Sequence, residues 1–285
     1  MFSFGVRGHD ITGALDPDQL GLRLERLGIK NVQLALNKSF PDLLSGEHEI
    51  NPGMGNYISR TLLKYNVSIA ILGCYINMIH PNLAKREEAL RRFEAYIRNA
   101  RYFNCSIVAS ETGSCDIDFN YTEKNFSEEK FLESEESIRR LVKVGEKENI
   151  VVAIEPNVMN PIHDVETATK VFNDISSPNL GIIVDPMSLV TADLVPQQLQ
   201  IVTDMFKSLG DHVVALHLKD FIIENGNVVP ITFGKGLLPA KDILNIYASY
   251  RPMGYVISEE TRDSNLMKPI CMCQQLGSFR TNCLA

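Results

Sequence analysis

The 285-residue sequence predicts an α/β protein, a single (β/α)8 (TIM) barrel over residues 1–285. Three observations lead there. Short apolar runs, mostly rich in β-branched residues, are each followed by a longer amphipathic stretch, and this happens eight times. No Ser/Gly/Pro-rich linker or low-complexity tract divides the chain, and barrels of this kind use roughly 250 residues as one domain. The competing architecture, a doubly wound open sheet, wants a glycine-rich nucleotide turn after the first strand, and GVRGHD is not one.

The units follow in order. FSFGV (2–6) precedes DPDQLGLRLERLG (16–28), where Asp16-Pro17 opens a helix. VQLAL (32–36) precedes a helical stretch near 54–65, and VSIAIL (67–72) precedes 84–103. In that third helix Leu90, Phe93 and Ile97 form an apolar stripe among charged neighbours. SIVAS (106–110) precedes 127–149, where Ser127 caps and Glu128 and Glu129 place negative charge in the first turn. VVAIE (151–155) precedes 165–175, and LGIIVD (180–185) precedes 197–209. VVALH (213–217) precedes 238–249, and YVISE (255–259) precedes 263–279.

Composition excludes some functions. Lys and Arg number 28 against 35 Asp and Glu, a net charge of −7, which disfavours nucleic acid as the main partner. No run approaches the roughly 20 apolar residues that span a bilayer, and MFSFGVRGHD lacks the features of a signal peptide, so no membrane association is expected. The cysteines are Cys74, Cys105, Cys115, Cys271, Cys273 and Cys283; only Cys271 and Cys273 are close, without a second ligand pair. Reduced thiols in a cytoplasmic protein are the expectation.

In a parallel barrel the functional residues lie at the C-terminal ends of the strands. Strands five to eight end in Glu155, Asp185, His217 and Glu259. Three carboxylates and an imidazole at one mouth repel unless a cation sits among them. The mixed O/N set suits one Mn²⁺, Mg²⁺ or Co²⁺, with Zn²⁺ a further candidate. At strand eight Glu259 and Glu260 compete. Alternation favours Glu259, which shares a face with Ile257, whereas a bulge would present Glu260.

The order IEP, VDP, HLKD and SEE over the last four strands, with VQLAL, GCYINMIHPN and PITFGKGLLP, resembles the xylose-isomerase-like barrels, the sugar phosphate isomerase/epimerase superfamily. The resemblance implies that Glu155, Asp185, His217 and Glu259 match the metal ligands of its ketose 3-epimerases. It implies further that Glu155 and Glu259 are the catalytic acid/base pair across the sugar carbon. Where those epimerases carry a histidine three residues after the strand-six Asp, this chain has Ser188. Asn157 and Asn160 occupy the stretch where a substrate-binding Glu is expected. The apurinic endonucleases of the superfamily place a histidine where Glu111 ends strand four. With six histidines in all, a trinuclear cluster is under-supplied here.

The expected enzyme is a metal-dependent isomerase or epimerase of a monosaccharide or sugar phosphate, moving a proton α to a carbonyl. A metal-dependent dehydratase of an inosose-like polyol is the alternative, and a metal-retaining sugar binder without turnover is another. Candidate substrate contacts are Lys219, Glu111, Asn157, His80 and Arg262. Lys219 equally suits a loop-fixing pair with Asp220, Glu111 and His80 suit capping, and Arg262 suits solvent exposure. Gly234 and Gly236 read as a backbone turn. The superfamily resemblance also implies a homo-oligomer.

Overall fold

The computed structural model describes residues 2–43 and 45–278; Cys283 and the last predicted position of the C-terminal helix, 279, lie outside them. The elements run β1 (Ser3–Arg7), α1 (Pro17–Arg26), β2 (Asn31–Leu34), α2 (Leu36–Ser39), α3 (Pro52–Leu63), β3 (Ser68–Gly73), α4 (Leu83–Asn99), β4 (Ile107–Glu111), α5 (Glu128–Glu148) and β5 (Val151–Glu155). They continue with α6 (Val165–Ile175), β6 (Leu180–Val184), α7 (Gln198–Leu209), β7 (Val213–Leu218), β8 (Asp220–Glu224), β9 (Asn227–Ile231), α8 (Ala240–Tyr250), β10 (Tyr255–Ser258) and α9 (Met267–Ser278). Strands β1 to β7 and β10 pair in parallel and close into a barrel, β10 lying between β7 and β1.

Helix starts follow local chemistry. The Asp16 carboxylate accepts the Gln19 N–H at 2.8 Å, ahead of Pro17 at the first helical position. Asp164 and Thr167 form a reciprocal capping box at α6. The core has two parts. Ala70, Ile71, Ile107, Ala109, Ala153, Ile183, Ala215 and Ile257 fill the barrel interior. The opposite strand faces, including Val152, Ile154 and Leu216, pack on a sleeve of helices through residues such as Phe206 and Tyr247. A mixture of alanines and isoleucines inside is what fills a closed, tilted sheet without a channel.

Several boundaries differ from expectation. Strand one runs one residue further, to Arg7, and strand two stops at Leu34 because Leu36–Ser39 coils into a short helix. Asp185 and Glu259 lie one residue beyond their ladders. The segment after HLKD, for which the sequence predicts no strand, is an antiparallel hairpin, β8 on β9. Its turn is Asn225-Gly226, with φ of +50° and +78°, the left-handed pair that a two-residue hairpin turn requires. Buried Asp220 ties the start of this hairpin to the loop that follows it by accepting the N–H groups of Phe221, Gly234, Gly236 and Leu238 at 2.7–3.0 Å.

Candidate metal centre and active site

Five side chains reach the C-terminal mouth by one rule. Ala109, Ala153, Ile183, Ala215 and Ile257 face the interior, and two residues later on the same faces come Glu111, Glu155, Asp185, His217 and Glu259. Glu155, Asp185, His217 and Glu259 are only 6%, 1%, 0% and 3% exposed, too buried to be ordinary solvated charges. One donor atom each from Glu155, Asp185 and His217 lies within 4.8 Å of the other two. Glu259 approaches from the neighbouring strand, its Oε1 3.0 Å from His217 Nδ1; Glu155 Oε1 lies 3.3 Å from the same nitrogen. Glu260 has a left-handed φ of +53° and turns its carboxylate to Arg7, so Glu259 is the one that faces inward.

The chain supplies cations of its own, which the repulsion argument from sequence overlooked. Lys219 Nζ sits 2.9 Å from Asp185 Oδ2 and 2.8 Å from Glu259 Oε2. Arg7 reaches Glu259 at 3.1 Å, Asp10 at 2.8 Å and Glu260 at 2.6 Å. Burial opposes the Glu259 charge, but His217, Lys219 and Arg7 outweigh it and hold its carboxyl well below the usual range. Burial likewise opposes charge on His217, yet Glu259 and Glu155 raise it to about 10. Lys219 is raised well above its ordinary value against its burial, by Asp185, Glu259 and Glu155.

A divalent cation is implied by this donor set, and one observation tests the fit. His217 Nδ1 is fully buried, points among the carboxylates and makes no hydrogen bond. Its other ring nitrogen, Nε2, meets Gln33 Oε1 at 2.9 Å. A buried imidazole nitrogen aimed at carboxylates 3.0 and 3.3 Å away, with no hydrogen bond of good geometry to them, is the donor arrangement an oxygen- and nitrogen-binding metal uses. Asp185 also accepts from Ser188 Oγ at 2.7 Å and from the Met187 N–H at 3.0 Å, which orients it.

A cavity of about 1030 Å³ opens above these groups. Arg7, Tyr75, Glu111, Glu155, Lys219 and Glu259 line it together with loop 45–49 and residues of α4. Glu111 is pushed up to about 7, first by burial and then by the Glu155 charge, and its Oε1 accepts from Asn157 Nδ2 at 3.2 Å. His80 lines the cavity, and its Nδ1 accepts the Asn82 N–H at 2.9 Å, so it also shapes the start of α4. Arg262 is exposed and outside the cavity lining, because the turn after Glu260 carries it to the surface. Arg7 and Gln33 are site residues the sequence reading missed. Gln33 was detectable as a polar residue inside the apolar run VQLAL.

A closed parallel barrel whose mouth gathers buried carboxylates and an unbonded imidazole nitrogen defines the class: a (β/α)8 protein with a candidate divalent-cation centre. The chain belongs to the xylose isomerase-like TIM barrel family, whose model matches residues 22–275. A search of curated protein sequences finds no match. Among solved structures, a xylose isomerase-like TIM barrel protein from Mycobacterium smegmatis in complex with magnesium is similar at TM-score 0.70 and 13% identity, over 92% of this chain and 88% of that one. D-psicose 3-epimerase in the presence of D-fructose is similar at TM-score 0.66 and 14% identity, over 90% and 84%. The 3-keto-D-glucoside 4-epimerase YcjR from E. coli is similar at TM-score 0.68 and 12% identity, over 99% and 100%. At these identities the likeness is one of fold. No helix among the described residues is long and apolar enough to cross a membrane.

Proposed function

We propose that the protein is a divalent-cation-dependent isomerase or epimerase acting on a monosaccharide or sugar phosphate. Glu155, Asp185, His217 and Glu259 hold the ion, and the observation that carries this is the buried, unbonded Nδ1 of His217 facing Glu155 and Glu259. A bound Mn²⁺, Mg²⁺ or Co²⁺ supplies Lewis-acid polarisation of a substrate carbonyl.

The chain's own residues do the rest. Glu155 and Glu259 both line the cavity and both approach His217 Nδ1, and we assign them as the base that takes a proton and the acid that returns it. Lys219, between Asp185 and Glu259, brings a positive charge to the place where an oxyanion develops. Glu111 with Asn157, and His80 on the cavity wall, bind substrate hydroxyls. The site acts in one barrel domain. The buried, unpaired thiols of Cys74 and Cys105, pushed up to about 12 and about 11 by burial, accord with a reducing cytoplasm.

The test is turnover and solvent-deuterium incorporation at saturating Mn²⁺, screened over ketoses, aldoses and inososes, for Glu155→Gln, Glu259→Gln and Asp185→Asn. Each amide keeps a coordinating oxygen, but the two Gln variants lose the titrating group, so turnover falls roughly 10²-fold or more and excess metal does not rescue it. Asp185→Asn recovers with excess metal. Equal rescue of all three moves the acid/base role to other residues. Release of water makes the enzyme a dehydratase. Binding without deuterium exchange makes it a sugar binder.

A further inference from the structure

Beside the apolar residues that fill the barrel interior lies a buried uncharged polar side chain of β2. Gln33 ends the inner face of β2, is 1% exposed, and bonds at both ends of its amide. Its Oε1 lies 2.9 Å from His217 Nε2, and its Nε2 donates to the Tyr75 hydroxyl at 3.1 Å. Burying an amide this deeply is costly unless both ends are satisfied, and here both are.

We propose that Gln33 is a positioning residue for the cation centre: it keeps the His217 proton on Nε2, leaving Nδ1 free as the donor toward Glu155 and Glu259. This rests on the cation reading of the mouth. A neutral imidazole carries one N–H, and the group facing each nitrogen decides where that proton resides. A carbonyl-type oxygen at Nε2 places the proton there. Without it, the carboxylates 3.0 and 3.3 Å from Nδ1 draw the proton to that nitrogen, and the lone pair then points away from the site. The Tyr75 hydroxyl accepts the amide N–H and holds the Gln33 side chain in place at its other end. Lys38 Nζ lies 4.6 Å from the centroid of the Tyr75 ring and packs on its face.

The conservative variants separate positioning from filling space. Gln33→Glu keeps an acceptor oxygen for Nε2–H, whereas Gln33→Met keeps the volume and loses the acceptor. Mn²⁺ titration of the intact protein is expected to give Gln33→Met at least 10-fold weaker binding, the usual scale for a group that orients a metal-bound histidine, and Gln33→Glu within about 3-fold of wild type. The nitrogen-15 spectrum of the Zn²⁺-loaded wild type is expected to show the His217 proton on Nε2. The proposal is overturned by Mn²⁺ binding in Gln33→Met equal to wild type, by a loss in Gln33→Glu as large as in Gln33→Met, or by the proton on Nδ1. Should Gln33→Met fail to fold, Tyr75→Phe frees the amide and is expected to weaken Mn²⁺ binding about 3-fold; unchanged binding there counts against the proposal. A wild-type chain that takes up no ion fails the metal reading itself. That result differs from an ion-binding wild type with an indifferent Gln33→Met.

Discussion

Glu111→Gln should convert a pH-dependent protein into a flatter one. Glu111 pairs in register with Glu155 across β4 and β5, so two carboxylates stand side by side at a buried mouth. Burial first, and the Glu155 charge second, move the Glu111 carboxyl from 4.5 to about 7. Its value in the folded chain is therefore above that in the unfolded chain. The stability this confers is fully present below about 4.5 and is lost as pH rises through about 7. That interval corresponds to roughly 3 kcal/mol, and water entering the mouth reduces it to about 1–3 kcal/mol. The assay is urea unfolding of chelator-treated wild type and Glu111→Gln from pH 4 to 8. The two are expected to be nearly equal at pH 4, with the variant more stable by about 1–3 kcal/mol at pH 8. Parallel profiles across that range would refute the reasoning.

Three further outcomes follow from the same geometry. Asp220→Ala strands four backbone N–H groups that hold the hairpin and the Gly234–Gly236 turn, and urea unfolding should show a loss of about 3 kcal/mol or more. Gly236→Ala should injure the same anchor: a Cβ there falls 2.2 Å from the Phe221 carbonyl oxygen and 2.3 Å from Asp220 Oδ1, and limited proteolysis near residue 236 should accelerate. Divalent cation at about 100 times its dissociation constant should stabilise the wild type by about 2.7 kcal/mol, read as a Tm increase of roughly 5 °C that His217→Ala abolishes.

The four buried polar side chains at the mouth were legible because strand alternation is a strong constraint. Once VVAIE, LGIIVD, VVALH and YVISE are strands, Glu155, Asp185, His217 and Glu259 inherit the inner face of Ala153, Ile183, Ala215 and Ile257. Arg7 was hidden because GVRGHD carries no sign that the strand reaches position 7. Its three carboxylate partners also lie at Asp10, Glu259 and Glu260, two of them some 250 positions away. The pairing of Lys219 with Asp185 and Glu259 is a contact between β6, β7 and β10 that no local pattern encodes. The β8–β9 hairpin was readable in principle: Asn225-Gly226 between FII and VV is a hairpin signal that falls outside the eight strand–helix units. Arg262 illustrates the converse. Nearness in sequence to Glu259 suggested the mouth, and a left-handed residue at Glu260 sends the chain outward.

The central claim is that one divalent cation sits on Glu155, Asp185, His217 and Glu259. The most direct measurement is a crystal of the protein grown with Mn²⁺ and recorded at the manganese absorption edge. The account predicts a single anomalous peak per chain at the barrel mouth, about 2.0–2.3 Å from oxygens of Glu155, Asp185 and Glu259 and from Nδ1 of His217. A mouth without a peak, with Lys219 still bridging Asp185 and Glu259, would contradict it, as would two or three peaks per chain.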